Sequence, residues 1–279
     1  MIKSINLWSF PGTMDILQCF KMAKAAGYDA VEPNIGAEGE LNFQTPDQRV
    51  LDIKHHAEDM GLKLASLSTG IYWSAPPTHE DAAVRSQALD YLKRQLEAAA
   101  LLSVGAILVV PGLVGVDFIP GAPVIRYDRA YDRAQEFLAA AEPHAKACGV
   151  VIGVENVWNK FLLSPLEMRG FLDSLNSPFI KAYFDAGNVL NVGYPEHWVE
   201  ILGNRIVRVH IKDFRRSVGT LGGFVDLLAG DVDFPAVMSS LRSVGYDSFI
   251  TAEMGGYQHY PEQVVYHTSA AMDRILGRN

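Results

Sequence analysis

The stretch Val150–Asn159, VVIGVENVWN, decides how the rest of the chain is read. Val150 to Val154 are apolar or glycine and mostly β-branched, so they read as a strand buried on both faces. The run then ends in Glu155. A carboxylate at the end of a buried strand is costly to desolvate unless something pairs with it, so a partner for Glu155 is expected.

Working outward, seven further runs of this kind occur: Ser4–Trp8, Ala30–Ile35, Lys63–Thr69, Ala106–Val110, Lys181–Gly187, Ile206–Asp213 and Phe249–Met254. Helical stretches lie between them. TPDQ (Thr45–Gln48) and SPLE (Ser164–Glu167) each place a hydroxyl at the N-cap, proline at the first helical position and Gln or Glu at the third. A long helix is expected from about His79 to Leu102, with Ala88, Leu92, Leu96, Ala99 and Leu102 on its apolar face. Eight strands alternating with helices predict a (β/α)8 TIM barrel, a single domain over residues 1–279 whose strands are apolar on both faces. A doubly wound open sheet would want a glycine-rich turn after the first strand, and LWSFPGTMD is not one.

The bulk properties remove several classes. A formal net charge of -8 disfavours a phosphate backbone as partner. Cys19 and Cys148 have no metal-like spacing and read as reduced thiols of a cytoplasmic protein. The segment Ala98–Val116 is uncharged over a membrane-spanning length, but Gly105, Pro111, Gly112 and Gly115 break it into a helix end, a buried strand and a loop. No membrane association is expected.

In a barrel of this type the reactive groups sit where the strands end. The fifth strand ends in Glu155 and the sixth in Asp185. The seventh carries His210, and the eighth ends in Glu253. Three carboxylates aimed at one low-dielectric mouth must take up protons or share a cation. With one imidazole, the set suits one divalent ion: Mn²⁺ first, then Mg²⁺ or Co²⁺, with Zn²⁺ also compatible.

The order Glu, Asp, His, Glu on strands five to eight resembles the xylose-isomerase-like sugar isomerase and epimerase barrels. Within them it is most similar to the ketose 3-epimerases, of both the tagatose or psicose type and the L-ribulose- or L-xylulose-5-phosphate type. The resemblance implies that Glu155 and Glu253 bind the metal and exchange the proton at the inverted carbon, while Asp185 and His210 complete the metal site. It implies substrate contacts from Asn188, where free-sugar enzymes carry histidine, and from Arg216, six residues past His210. Phe161 stands where free-sugar enzymes tend to have a carboxylate. Together with Arg215 and Arg216, these departures tilt the expectation towards a phosphorylated ketose. A homodimer or homotetramer is also implied.

The chemistry so implied is C3 inversion of a ketose or ketose phosphate through an enediolate, one carboxylate on each face. The rivals on the same site are aldose–ketose isomerisation, as of hydroxypyruvate, and dehydration of a keto-inositol, since VHIKD also resembles dehydratases of the superfamily. DNA-repair endonucleases share the barrel but gather more histidines and a basic face. Several further residues have open roles: Trp8, Tyr72, Trp73 and Trp158 as cavity wall or core, Glu32 as a structural ion pair, Lys160 and Lys212 near a substrate, and His259 on the surface.

Overall fold

A computed structural model describes residues 1–278. Its strands and helices alternate along the chain, beginning with β1 (Ile2–Asn6), α1 (Ile16–Ala25), β2 (Ala30–Glu32), α2 (Asp47–Asp59), β3 (Lys63–Leu64), α3 (Ala82–Leu101) and β4 (Ala106–Val109). They continue with α4 (Tyr127–Cys148), β5 (Val151–Glu155), α5 (Pro165–Leu175), β6 (Ile180–Asp185), the short α6 (Ala186–Val189), α7 (Pro195–Leu202) and β7 (Ile206–Ile211). A two-stranded hairpin, β8 (Asp213–Phe214) with β9 (Phe224–Val225), precedes α8 (Phe234–Ser243), β10 (Phe249–Ala252) and α9 (Gln263–Leu276).

Eight strands form one parallel sheet in the order β3-β2-β1-β10-β7-β6-β5-β4. Its two ends meet just beyond β3, where the Leu67 amide donates to Ala106 O (3.3 Å) and the Leu108 amide donates to Leu67 O (3.1 Å). This is the (β/α)8 barrel expected from the alternation, and each expected strand lies within or close to its predicted run. The uncharged segment resolves into the end of α3, β4 and a loop, and no helix among the described residues is long and apolar enough to cross a membrane.

The strands are not apolar on both faces. Outward residues such as Ile5, Val31, Ile107, Val154, Phe184 and Val209 pack under the helices. Inward positions instead carry Ser4, Asn6, Glu32, Ser66, Tyr183 and Thr251, all fully buried. The correction has a physical reason: Asn6, Ser66 and Tyr183 are tolerated in the barrel interior because they donate to Glu32, while the Ser4 and Thr251 hydroxyls are buried without a partner. Thr45 also departs from expectation. Its hydroxyl accepts from the Asn42 amide (2.8 Å) in the preceding turn, so α2 starts at Asp47 without a side-chain cap. Ser164 does cap α5, accepting from the Glu167 amide at 3.2 Å.

Two local features aim the functional strand ends. The β6–β7 register shifts between Ala182 and Tyr183, so that Asp185 lies opposite His210. Without that bulge Asp185 would face Val209, and the imidazole would point to the helices rather than the barrel axis. Gly153 in β5 makes room for Tyr183. A Cβ there would lie 2.9 Å from both Ile107 O and Tyr183 Cδ2. Gly153→Ala is therefore expected to lower the free energy of urea unfolding by about 1–3 kcal/mol, the usual cost of overpacking. An unchanged denaturation midpoint would show that Tyr183 is not held against this strand.

Candidate active site and metal centre

Glu155 and Asp185 are positioned together by the residue between them in space, Asn156. Its side chain donates to Asp185 O (2.8 Å) and accepts from the Asp185 amide (2.9 Å), tying the ends of β5 and β6. One Asp185 oxygen caps α6, accepting from the Asn188 amide at 2.8 Å. Gly187 lets this turn lie on the exit of β7, since a Cβ would fall 2.6 Å from Lys212 Cβ. The other Asp185 oxygen is left facing the barrel mouth.

Glu155, Asp185, His210 and Glu253 each present a ligand atom, and these atoms lie within 4.8 Å of one another. Glu155 Oε1, Asp185 Oδ2 and His210 Nδ1 are buried without a hydrogen-bond partner. Nδ1 is 3.0 Å from Glu253 Oε2 and 3.7 Å from Glu155 Oε1, close but not aligned as a donor. Three orphaned buried polar atoms converging from the ends of β5, β6 and β7, with Glu253 beside them, are an arrangement a cation satisfies. The donor set, mainly carboxylate with one imidazole, fits a divalent ion.

His210 is oriented from behind by Glu32, whose Oε2 lies 2.7 Å from Nε2. Glu32 is fully buried and also accepts from Asn6, Ser66 and Tyr183. Burial alone would raise its pKa, but the His210 charge and then the hydrogen bonds from His210, Ser66 and Tyr183 hold it below the usual carboxylate value. Glu32 is thus an ionised acceptor, which assigns a proton to His210 Nε2 and turns Nδ1 to the carboxylates. Burial opposes the imidazolium, but Glu32, Glu155 and Glu253 together raise His210 well above its ordinary value.

Lys212 adds a second internal counter-charge. Its ammonium lies 3.2 Å from Asp185 Oδ2 and 3.1 Å from Glu253 Oε2. The two glutamates are consequently driven apart. Burial lifts Glu155 to about 7 against the lowering influence of His210 and Lys212. For Glu253 burial also acts upward, but Lys212 and then His210 outweigh it and hold the group at about 2.

Above the cluster opens a cavity of 730 Å³. Trp73 packs edge-on against Phe118 at 5.3 Å, and Trp158 meets Phe224 at 5.2 Å; all four line it, as does Trp8. Tyr72 does not: it is buried with its hydroxyl donating to Gln95. Asn188 is in the wall, with its side-chain nitrogen committed to Asn156 O at 3.0 Å. Arg216 is not brought to the cavity. It donates to Leu190 O (3.2 Å) and stacks over Tyr194 at 5.0 Å. Lys160 pairs with Asp117 at 2.6 Å, and His259 is exposed. Sequence reasoning gave Glu32 an ion pair without naming His210 as its partner, and left Lys212 without this role. For Lys212 a signal existed, because a residue two positions past His210 on a strand shares its face.

Comparison with known proteins agrees with the geometry. A model of the family described as xylose isomerase-like TIM barrel matches residues 20–274. An L-ribulose-5-phosphate 3-epimerase of Salmonella paratyphi C is 26% identical over 272 residues, covering 94% of this chain and 89% of its own. Among solved structures, a D-psicose 3-epimerase from Clostridium cellulolyticum H10 superposes with a TM-score of 0.81 at 16% identity, covering 99% of each chain. A 3-keto-D-glucoside 4-epimerase from E. coli does so with a TM-score of 0.78 at 18% identity, covering 98% of this chain and 99% of its own.

Two outcomes are expected from calorimetric titration with Mn²⁺. A cation must displace protons from Glu155 and His210, so affinity should fall with pH, by at least about tenfold between pH 8 and pH 6 given a Glu155 value near 7. Glu32→Gln removes the charge behind His210 and should weaken binding by about 10–100-fold. Affinity that is flat across this pH range, or unchanged in Glu32→Gln, would mean the ion binds elsewhere.

Proposed function

Because this chain belongs to the xylose isomerase-like TIM-barrel family, we propose that it is a divalent-metal-dependent epimerase that inverts C3 of a ketose or ketose phosphate. One observation carries the proposal: Glu155 and Glu253 approach the Asp185–His210 pair from opposite sides, on β5 and β10, beneath a cavity large enough for a sugar. The names of the Salmonella relative and of the Clostridium structure, both 3-epimerases, support it.

Held by Glu155, Asp185, His210 and Glu253, a divalent cation would polarise the ketose carbonyl and stabilise the charge of an enediolate. The proton itself is moved by the chain. C3 lies next to the carbonyl, so its C–H bond breaks with the electron pair passing into the enediolate. Glu253, 3.1 Å from the Lys212 ammonium, can accept that proton. Glu155, on the other side of the cluster, can return one drawn from solvent to the other face of C3. The reverse reaction uses the same groups in exchanged roles. Asn156 and Glu32 touch no substrate; they keep the strand ends and the imidazole in register. The aromatic walls exclude water from the intermediate.

Glu→Gln preserves shape and one oxygen ligand while removing the proton carrier. Glu155→Gln and Glu253→Gln should each lower turnover by about 10²-fold or more with the metal still bound. In deuterated water, NMR of the recovered ketose should place the label at C3. Label at C1 would indicate aldose–ketose isomerisation instead, and full activity in either variant would remove the two-carboxylate scheme.

A further inference from the structure

The wall of the cavity carries charge in an arrangement ill-suited to a phosphate ester. Among the described residues that line it, Lys212 is the single cationic side chain, and it is held between Asp185 and Glu253. The arginines that the sequence placed near a phosphate are engaged elsewhere, Arg215 with Ala229 O at 3.0 Å and Arg216 with Leu190 O and Tyr194. Two carboxylates outside the metal cluster do line the cavity, Asp213 and Asp226. Asp213 accepts from the amides of Phe214, Gly230 and Val232 at 2.9 to 3.1 Å and so fastens the hairpin loop.

Asp226 is different. It is exposed at the rim just after β9, and its Oδ2 accepts from the Tyr257 hydroxyl at 2.9 Å. Tyr257 belongs to the loop after β10, so the pair joins two loops across one side of the mouth. Partial burial and the Asp226 charge push the Tyr257 hydroxyl up to about 12, which keeps it a donor. A further contact, 3.1 Å to His267 Nδ1, steadies the ring.

We propose that the Asp226–Tyr257 pair selects the tail of the substrate, accepting the hydroxyl groups of an unphosphorylated ketose and rejecting a terminal phosphate. A carboxylate only accepts hydrogen bonds, and so does an ionised phosphate, whereas a sugar hydroxyl can donate. At the solvent-exposed rim the repulsion between two anions is moderate and screened by salt. Tyr257 fixes the carboxylate at the rim rather than leaving it to swing into solvent. The inference rests on the proposed sugar-binding role of the cavity and narrows it. It also separates this chain from the Salmonella relative, whose name specifies a 5-phosphate.

The test is calorimetric titration of the Mn²⁺-loaded protein with D-fructose against D-fructose 6-phosphate, and with L-ribulose against L-ribulose 5-phosphate. The free sugar should bind at least about tenfold more tightly in the better-bound pair, the scale of a like-charge penalty. Asp226→Asn is isosteric and should reduce that ratio by about tenfold, and raising the salt concentration should reduce it in the wild type but not in Asp226→Asn. Phosphate esters binding as tightly as the free sugars, a ratio unchanged in Asp226→Asn, or binding of neither pair would overturn the proposal. Failure of the epimerase reading has a separate signature: the free sugar is still preferred in binding, but deuterium does not enter at C3.

Discussion

Glu155, Asp185 and Glu253 put three carboxylates into one buried space, and the barrel is arranged around the need to neutralise them. Glu32 makes a fourth at the back of His210. With Nδ1 free to hold a cation, the imidazole is neutral and Lys212 alone stands against these four charges, so full ionisation leaves three uncompensated. A divalent cation held there would offset two of them. Burial lifts the pKa of Glu155 to about 7, whereas at Glu253 Lys212 and then His210 outweigh burial and lower it. Two residues of one type are thus driven apart by their surroundings.

The supporting structure is specific to this demand. The β6–β7 bulge brings His210 opposite Asp185, Gly153 admits Tyr183, and Tyr183 reaches across the barrel to Glu32. Each of these steps is a packing or register choice in the interior, yet each ends on the orientation of one imidazole. The polar barrel core follows from it. An ionised Glu32 at the axis requires donors around it, and Asn6, Ser66, Tyr183 and His210 provide them.

The architecture was legible in the sequence because eight β-branched runs alternate with capped helical stretches. The four cluster residues were legible because each closes or nearly closes its strand. The barrel interior was not. Serine and asparagine in short strands give no signal about whether they face a core, solvent or a buried acid, and strand ends shift by a residue or two. Glu32 closed its strand as visibly as Glu155 did, but only the spatial closeness of β2 and β7 across the barrel shows that it holds His210. Arg216 shows the opposite limit. A matching position in sequence brought the residue to the correct loop, while the direction of its side chain was decided by Tyr194 and Leu190, which no spacing rule reveals.

The central claim is that one divalent ion completes the cluster of Glu155, Asp185, His210 and Glu253. Diffraction from crystals grown with Mn²⁺, recorded at the manganese absorption edge, tests it most directly. The account predicts one anomalous peak per chain, bonded to His210 Nδ1 and to oxygens of all three carboxylates, with His210 Nε2 still on Glu32. No peak at the barrel mouth, or a peak bound by other residues while these four remain paired with one another and with Lys212, would contradict it.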